Sequence, residues 1–283
     1  MIDKTIKQRL TAYALVMPAF LTVMAVVAIP ILAALKKSFT DPKTGGFTFD
    51  NYLFFFTTKR ELTNLGYTLF VVVMTVVIAL FVAYLLALFL RFVDSPFSRA
   101  IGSLYLLPRF IPGLVAVYAM ITIIRDSGLI NRISNLFGAD VKLGLMYHAG
   151  GMILMNLWFN IPFAALMITA GLSAVPDSII ESARDVGAGR VRVFFSMILP
   201  LSLKDIVVAG TFVFMSNVGA FTTPYLMGGN FPKMLGISLF DQFNKYLRYE
   251  RAAALSVIMF LLCSVSAGVY IYTNLKEKAW EKD

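Results

Sequence analysis

Long apolar runs alternate with short polar connectors along almost the whole chain, and the runs lack charge on every face rather than on one. Uncharged stretches cover residues 10–35, 62–90, 143–176, 206–232 and 252–275, and a sixth, 100–124, is broken only by Arg109. Each approaches or exceeds the ~20 apolar residues needed to cross a bilayer. Backbone inside hydrocarbon must satisfy its own hydrogen bonds, so spans rich in Leu, Val, Ile and Phe are predicted as helices. They are expected at about 11–35, 64–90, 100–124, 147–172, 205–226 and 252–275. The fold class that follows is an all-α integral membrane protein with six transmembrane helices. Residues 1–283 are read as a single transmembrane domain, because no internal repeat, low-complexity tract or soluble domain interrupts them.

Composition agrees: 59% of the residues are hydrophobic and 14% charged, against roughly 25% charged in soluble domains. Lys4, Lys7 and Arg9 before the first run also suit the start of a secretory signal peptide, but its length and the Lys36–Lys37 pair after it favour a retained helix. The net charge of +9 is dispersed through short loops, with no basic stripe interleaved with aromatics. That pattern predicts attraction to membrane lipid headgroups and no nucleic acid partner. Cys263 is the only cysteine and can form no internal disulfide. His148 has no second His or Cys nearby, so neither a metal nor another cofactor is expected, and a polar residue near a helix end is the better reading. Basic residues divide evenly, twelve to each side with Arg109 left out, so the positive-inside rule does not orient the chain.

One polar island interrupts the apolar pattern at about 176–200. Ser178 precedes Glu181 by the three residues of a helix capping box, and Asp177 and Glu181 complement a helix dipole, so a short helix is predicted after Pro176. It should stop near Gly187, since Gly187 and Gly189 offer positive-φ positions. A second amphipathic segment follows, with Val191, Phe194, Phe195 and Ile198 on its apolar side, and Pro200 suits the first turn of the fifth span. On these grounds alone Glu181 could do no more than cap its helix.

The chain has no G-x-x-x-x-G-K-[ST] phosphate loop, so it does not hydrolyse ATP itself. None of the predicted spans carries an Asp or Glu well inside its apolar stretch, which disfavours ion coupling. No Ser, His and Asp cluster or paired carboxylate supports catalysis. Among the polar groups within the spans, Asn156 and Asn160 are four apart and share a helical face, and Asn217 lies in the fifth span. They could line a pathway or bond between helices. Arg109 sits between Pro108 and Pro112, where a buried cation is costly unless paired or hydrated. It either snorkels to the cytoplasmic face or meets an anionic solute or a loosened carbonyl.

The series Glu181, Ala183, Gly187, Ala188, Phe194, Leu199 and Pro200 resembles the "EAA…G…LP" signature of permease subunits of binding-protein-dependent ABC importers. Asp126-Ser127-Gly128-Leu129-Ile130-Asn131 and the Trp158…Pro162 stretch agree, so the resemblance runs from about Asn64 to Lys276. It implies a type I importer permease whose 176–200 loop is cytoplasmic and forms a coupling helix docked in a groove of an ATPase. Glu181, Ser182, Ala183, Asp185, Gly187 and Ala188 would form that element. Glu181 would meet a basic residue, Ala183 would permit close approach, Gly187 would make the turn, and Ser182 stands in place of the usual second alanine. Implied partners are two ATPase subunits, a second and non-identical six-helix permease, and a periplasmic or lipid-anchored solute-binding protein. The pathway candidates are Asn156, Asn217 and Arg109. The run through Asp185 and Val186, with residues 219–229, resembles the polyamine, phosphonate and ferric-ion permeases. The Arg-Thr-Tyr-Ala-Trp segment common in polyamine permeases is replaced by residues 115–120, and Arg109 suits a polycation poorly. A polyamine, a phosphonate or another small polar solute remains open, as do a sugar-type permease and a stand-alone channel or facilitator.

Overall fold

The computed structural model describes residues 4–280, with side chains described over 12–273. The regular structure among the described residues is helical, with one isolated antiparallel bridge between Thr40 and Phe47. Six helical segments among them are long and apolar enough to cross a membrane. The sequence suggested one domain; the structure divides into two compact units, one up to Thr58 with Leu239–Ile258, the other Lys59–Ser238 with the residues from Met259 on. The first span, Ala12–Ser38, has no buried residue in its most apolar window.

In the first unit α1 (Lys4–Val23) runs through a π-helical turn, Met24–Ala28, into α2 (Ile29–Ser38). Pro30 explains the turn: it has no N–H, and its ring would strike the carbonyl four residues back, so the helix widens over the segment containing Val26. A loop then leads to α3 (Asp50–Thr57), anchored by buried Asn51, whose amide donates to the carbonyls of Ser38 and Thr40, both at 3.0 Å.

The second unit is built on α4 (Lys59–Phe92), whose 34 residues span about 50 Å at ~1.5 Å each. Its buried positions Thr68, Val72, Thr75, Ala79, Ala83 and Ala87 recur at helical spacing and make one face. After α4 come α5 (Pro96–Leu104), a 3₁₀ turn over Leu107–Phe110, α6 (Gly113–Ile124) and α7 (Leu129–Leu136). The third predicted span, 100–124, is therefore not one helix: Pro108 and Pro112 break it, and the long apolar segment is Gly113–Leu136.

The fourth span, α8 (Ala149–Ser173), supplies the other half of the core. Ala83 and Ala87 of α4 lie in one buried cluster with Ala164, Ala165, Ile168 and Leu172 of α8. Between lipid-embedded helices there is little hydrophobic drive, and small residues let the backbones approach until dispersion and polar contacts hold them.

The island then forms α9 (Asp177–Asp185) and α10 (Arg190–Val193), followed by a π-turn, Phe194–Ile198, and α11 (Leu199–Val218). Here the expected boundary moves. Instead of starting near 205, the fifth span is continuous over Arg190–Val218, with Pro200 in the first turn of α11 as expected. Pro200 is absorbed by the π-turn before it, as Pro30 is in the first unit. The span also ends earlier than 226, and α12 (Thr222–Met227) is a separate short helix. Gly210 permits the approach of α11 to α4, since a Cβ there would lie 3.0 Å from Leu80.

Residues 228–238, which run from α12 into α13 (Leu235–Phe240), are clamped onto α4. Buried Asn64 donates to Ser238 Oγ at 3.2 Å and accepts from the Lys233 N–H at 2.8 Å, while Thr68 accepts from the Leu235 N–H at 2.9 Å. The last helix, α14 (Tyr249–Trp280), follows a π-turn over Asp241–Lys245.

Replacing Ala83 by Leu should overpack the α4–α8 contact and cost about 1–3 kcal/mol. Thermal unfolding in detergent should show a lowered midpoint, whereas Phe81→Leu, on an exposed position of the same helix, should leave it unchanged.

Candidate functional site

The island folds as a helix anchored by one face. In α9, Ile180 and Ala183 are buried, in the same cluster as Leu172, Val175, Val193 and Ile198. Glu181, Ser182, Asp185, Val186 and Gly187 are exposed, Val186 to 84%. Helical spacing thus sorts the loop into an inner apolar side and an outer side of two carboxylates, a hydroxyl and one bare valine.

The end of α9 is a Schellman turn. The Gly187 N–H bonds the Arg184 carbonyl at 2.8 Å and the Ala188 N–H bonds the Ala183 carbonyl at 3.0 Å, with Gly187 at φ +83°. Gly187 therefore makes the expected turn. Gly189 does not share it: it is the extended N-cap of α10, at φ −67° and ψ 160°.

Two expectations about this loop need correction. The Ser178–Glu181 capping box is not formed, because Pro176 is the N-cap and Ser178 already lies within the helix. Ala183 does not offer its surface to a partner: it is 4% exposed, and its small side chain lets α9 pack on its own chain. The start of α9 is secured instead by Arg91 in the last turn of α4, whose Nη2 lies 2.7 Å from Asp177 Oδ1.

The amides form a second group. Asn156, Asn160 and Asn217 are all at least nine-tenths buried. Asn160 Nδ2 donates to the Asn156 carbonyl at 2.7 Å and reaches Asn217 Oδ1 at 3.5 Å, and Ser216 Oγ reaches Asn160 Oδ1 at 3.5 Å. Asn217 also donates to the Val213 carbonyl at 2.7 Å. The buried Asn156 side-chain nitrogen has no hydrogen-bond partner among the described residues. The contacts across α8 and α11 are long, at 3.5 Å, and the short ones run within each helix, so the amides tie the two helices together only weakly.

Arg109 lies outside this cluster. It belongs to the 3₁₀ turn between the two prolines rather than to a helix, and it is exposed, with its guanidinium 4.9 Å from the ring centroid of Phe163 on α8. Phe163 meets Phe212 edge-on at 6.3 Å, and Phe212 meets Tyr270 at 6.0 Å. Among the described residues no carboxylate pairs with Arg109. A guanidinium over an aromatic face keeps its N–H edge free for an anion.

At the other end of α8, His148 is the N-cap residue, with no side-chain capping bond. It lines an open cavity of ≈ 740 Å³ with Arg125, Asp126, Asp140 and Lys142. Bonds from Lys142 and then Asn131 hold the Asp140 carboxyl below its ordinary range, and Asp140 in turn raises Lys142. No group of three or more His, Cys, Asp or Glu side chains among the described residues is placed to hold a metal.

Sequence reasoning missed two residues. Arg91 looked like one of several loop cations, and nothing in its spacing pointed to residues more than eighty positions away. Asp205, expected at the edge of the fifth span, lies near the middle of the continuous helical segment Arg190–Val218, at the point where its uncharged stretch begins. It presses on Gly171 of α8, where an added Cβ would come within 2.6 Å of Asp205 Cβ. The start of an uninterrupted helix before Pro200 was the missing signal.

Comparison with known proteins gives a consistent picture. Residues 76–278 match the family model for the binding-protein-dependent transport system inner membrane component. The chain is 28% identical over 282 residues to the sulfoquinovosyl glycerol transport system permease protein SmoG of Agrobacterium fabrum, covering 93% of this chain and 90% of that one. It is 22% identical over 192 residues to the spermidine/putrescine transport system permease protein PotB of Salmonella typhimurium, covering 68% and 67%. Among solved structures, a chain of a bacterial ABC transporter involved in the import of the acidic polysaccharide alginate superposes with a TM-score of 0.81 at 19% identity, covering 98% of both chains.

At Gly187 a Cβ would meet nothing within 4 Å, so substitution tests the backbone alone. Gly187→Ala should cost about 1–2 kcal/mol, the penalty of a left-handed conformation for an ordinary residue, and Gly187→Asn less. Denaturation midpoints of the two variants should fall in that order.

Proposed function

The chain belongs to the family of inner membrane components of binding-protein-dependent transport systems, and from that premise we propose that α9 is the cytoplasmic element through which a partner ATPase drives solute import. As a member it is a multi-pass inner membrane permease subunit of an ABC importer, and the permease is not itself catalytic. The observation that carries the finer reading is the two-sidedness of α9. Ile180 and Ala183 fix it to the bundle, while Glu181, Ser182, Asp185 and Val186 are left facing outward beside a rigid Schellman turn. Such a helix can be pushed by a partner without unfolding, and its two carboxylates suit a groove with basic residues. Gly187 and Ala188 set its end, and Ala183 sets its depth. The full assembly proposed is two ATPase subunits, this permease, a second and non-identical permease, and an external solute-binding protein. A solved neighbour, the bacterial alginate ABC transporter in complex with alginate pentasaccharide-bound periplasmic protein, supports the last of these.

For the solute we favour a hydroxyl-rich anion, a sugar-type cargo, over a polyamine. Arg109 is exposed without a pairing carboxylate and stacked on Phe163, and a cation there opposes a polycation. The amides Asn156, Asn160 and Asn217 with Ser216 offer donors and acceptors suited to hydroxyls. The named cargoes sulfoquinovosyl glycerol and the acidic polysaccharide alginate point the same way, and the PotB similarity points to spermidine or putrescine.

Glu181→Lys should leave membrane insertion at its normal level and reduce ATPase co-purification more than about tenfold, the effect of reversing one charge in a desolvated pair. Full co-purification with coupled hydrolysis would sink the docking role. Arg109→Gln should cut uptake of an anionic oligosaccharide about tenfold while sparing a neutral one. An equal loss of both, measured in whole cells, would remove the anion-reading role.

A further inference from the structure

We propose that Arg91 is the positioning residue that makes α9 move as one body with α4 and the end of α8. This rests on the reading of α9 as the ATPase-docking helix. Arg91 lies in the last turn of α4, and its guanidinium reaches three places at once. Nη2 is 2.7 Å from Asp177 Oδ1 in the first turn of α9 and 3.4 Å from the Val175 carbonyl, and Nε is 3.4 Å from the Leu172 carbonyl near the end of α8. Its carbon stem is sheltered, the side chain being 22% exposed against 66% for Asp177.

The distances rank the contacts. The short bond to Asp177 joins two ions and is the strong, directional one. The longer bonds place a cation at the C-terminal end of α8, where the helix dipole favours it. The other attachment of α9 is the apolar contact of Ile180 and Ala183, which resists separation but permits sliding. Without Arg91, therefore, α9 can stay attached and still slip along the bundle. The planar fork makes this a role for arginine in particular, since a lysine ammonium cannot span the carboxylate and both carbonyls.

The test uses the assembled importer with its ATPase, and MgATP as the probe. In a Cys263→Ser background, spin labels are placed at the exposed positions Arg184, on α9 and outside its docking face, and Val77, on α4. In the otherwise unaltered chain the distance between the labels should hold its mean and width when MgATP is added. In Arg91→Gln, and equally in Asp177→Asn, it should shift by several ångströms or split. The double variant should be no worse than either single one, and Arg91→Lys should not restore the parent distance. A distance in both single variants that is as insensitive to MgATP as in the parent would overturn the proposal, as would effects that add in the double variant. Asp177 is exposed, so its variant keeps the test decisive if Arg91→Gln assembles poorly. Glu181→Lys separates the two readings. If that variant retains bound ATPase and coupled hydrolysis, α9 is not the docking helix. If it loses them while the Arg91 and Asp177 variants keep the parent distance, only the positioning role fails.

Discussion

The close approach of α4 and α8 is the contact on which the second unit depends. Ala83, Ala87, Ala164 and Ala165 are fully buried there, and nothing larger than alanine stands at those four places. In water such a seam would be a weak core, because alanine buries little area. In lipid the balance differs: every helix side finds an apolar surround, so association rests on how near the backbones can come. The α11 helix joins by the same rule at Gly210, and the Asn64 and Thr68 clamp on residues 228–238 needs α4 held in place to have anything to clamp against.

The island inherits its geometry from that seam. Ile180 and Ala183 extend the cluster begun by the α4 and α8 alanines, and Arg91, bonded to the Leu172 carbonyl near the end of α8, reaches Asp177 in the first turn of α9. A helix of nine residues is too short to be stable alone in water. Its persistence as a presented surface comes from burial on one side, the Schellman turn at Gly187 and the ion pair at Asp177. The amide seam contrasts with this, with short bonds within α8 and α11 and long ones between them.

Most of the fold was legible, since five uncharged runs and a sixth broken only by Arg109 read as six spans, and the polar island read as a short helix ending at Gly187. The errors share one cause. Local rules assumed that helices begin and end where propensity changes, and this chain overrides that at its prolines. At Pro108 and Pro112 an apolar run became a turn, carrying Arg109 out of a helix. At Pro200, which does lie in the first turn of α11, a π-turn lets the helix continue back to Arg190. The Ser178 capping box failed in the same way, because Pro176 started the helix before the serine could cap it.

By itself, then, the amino-acid order determined the number of spans, the absence of a nucleotide-binding loop, and the glycine at which α9 must turn. Those follow from bilayer thickness, from the residue types that cradle phosphate, and from the φ angles that only glycine adopts freely, all properties of a few adjacent residues. Tertiary structure alone decided which face of α9 is offered outward, so that Ala183 serves the chain's own packing and Glu181 remains exposed. It alone brought Arg91 to Asp177, and Asn160 and Ser216 to each other. Burial and pairing are relations between distant segments, and their energies arise only when the helices have met.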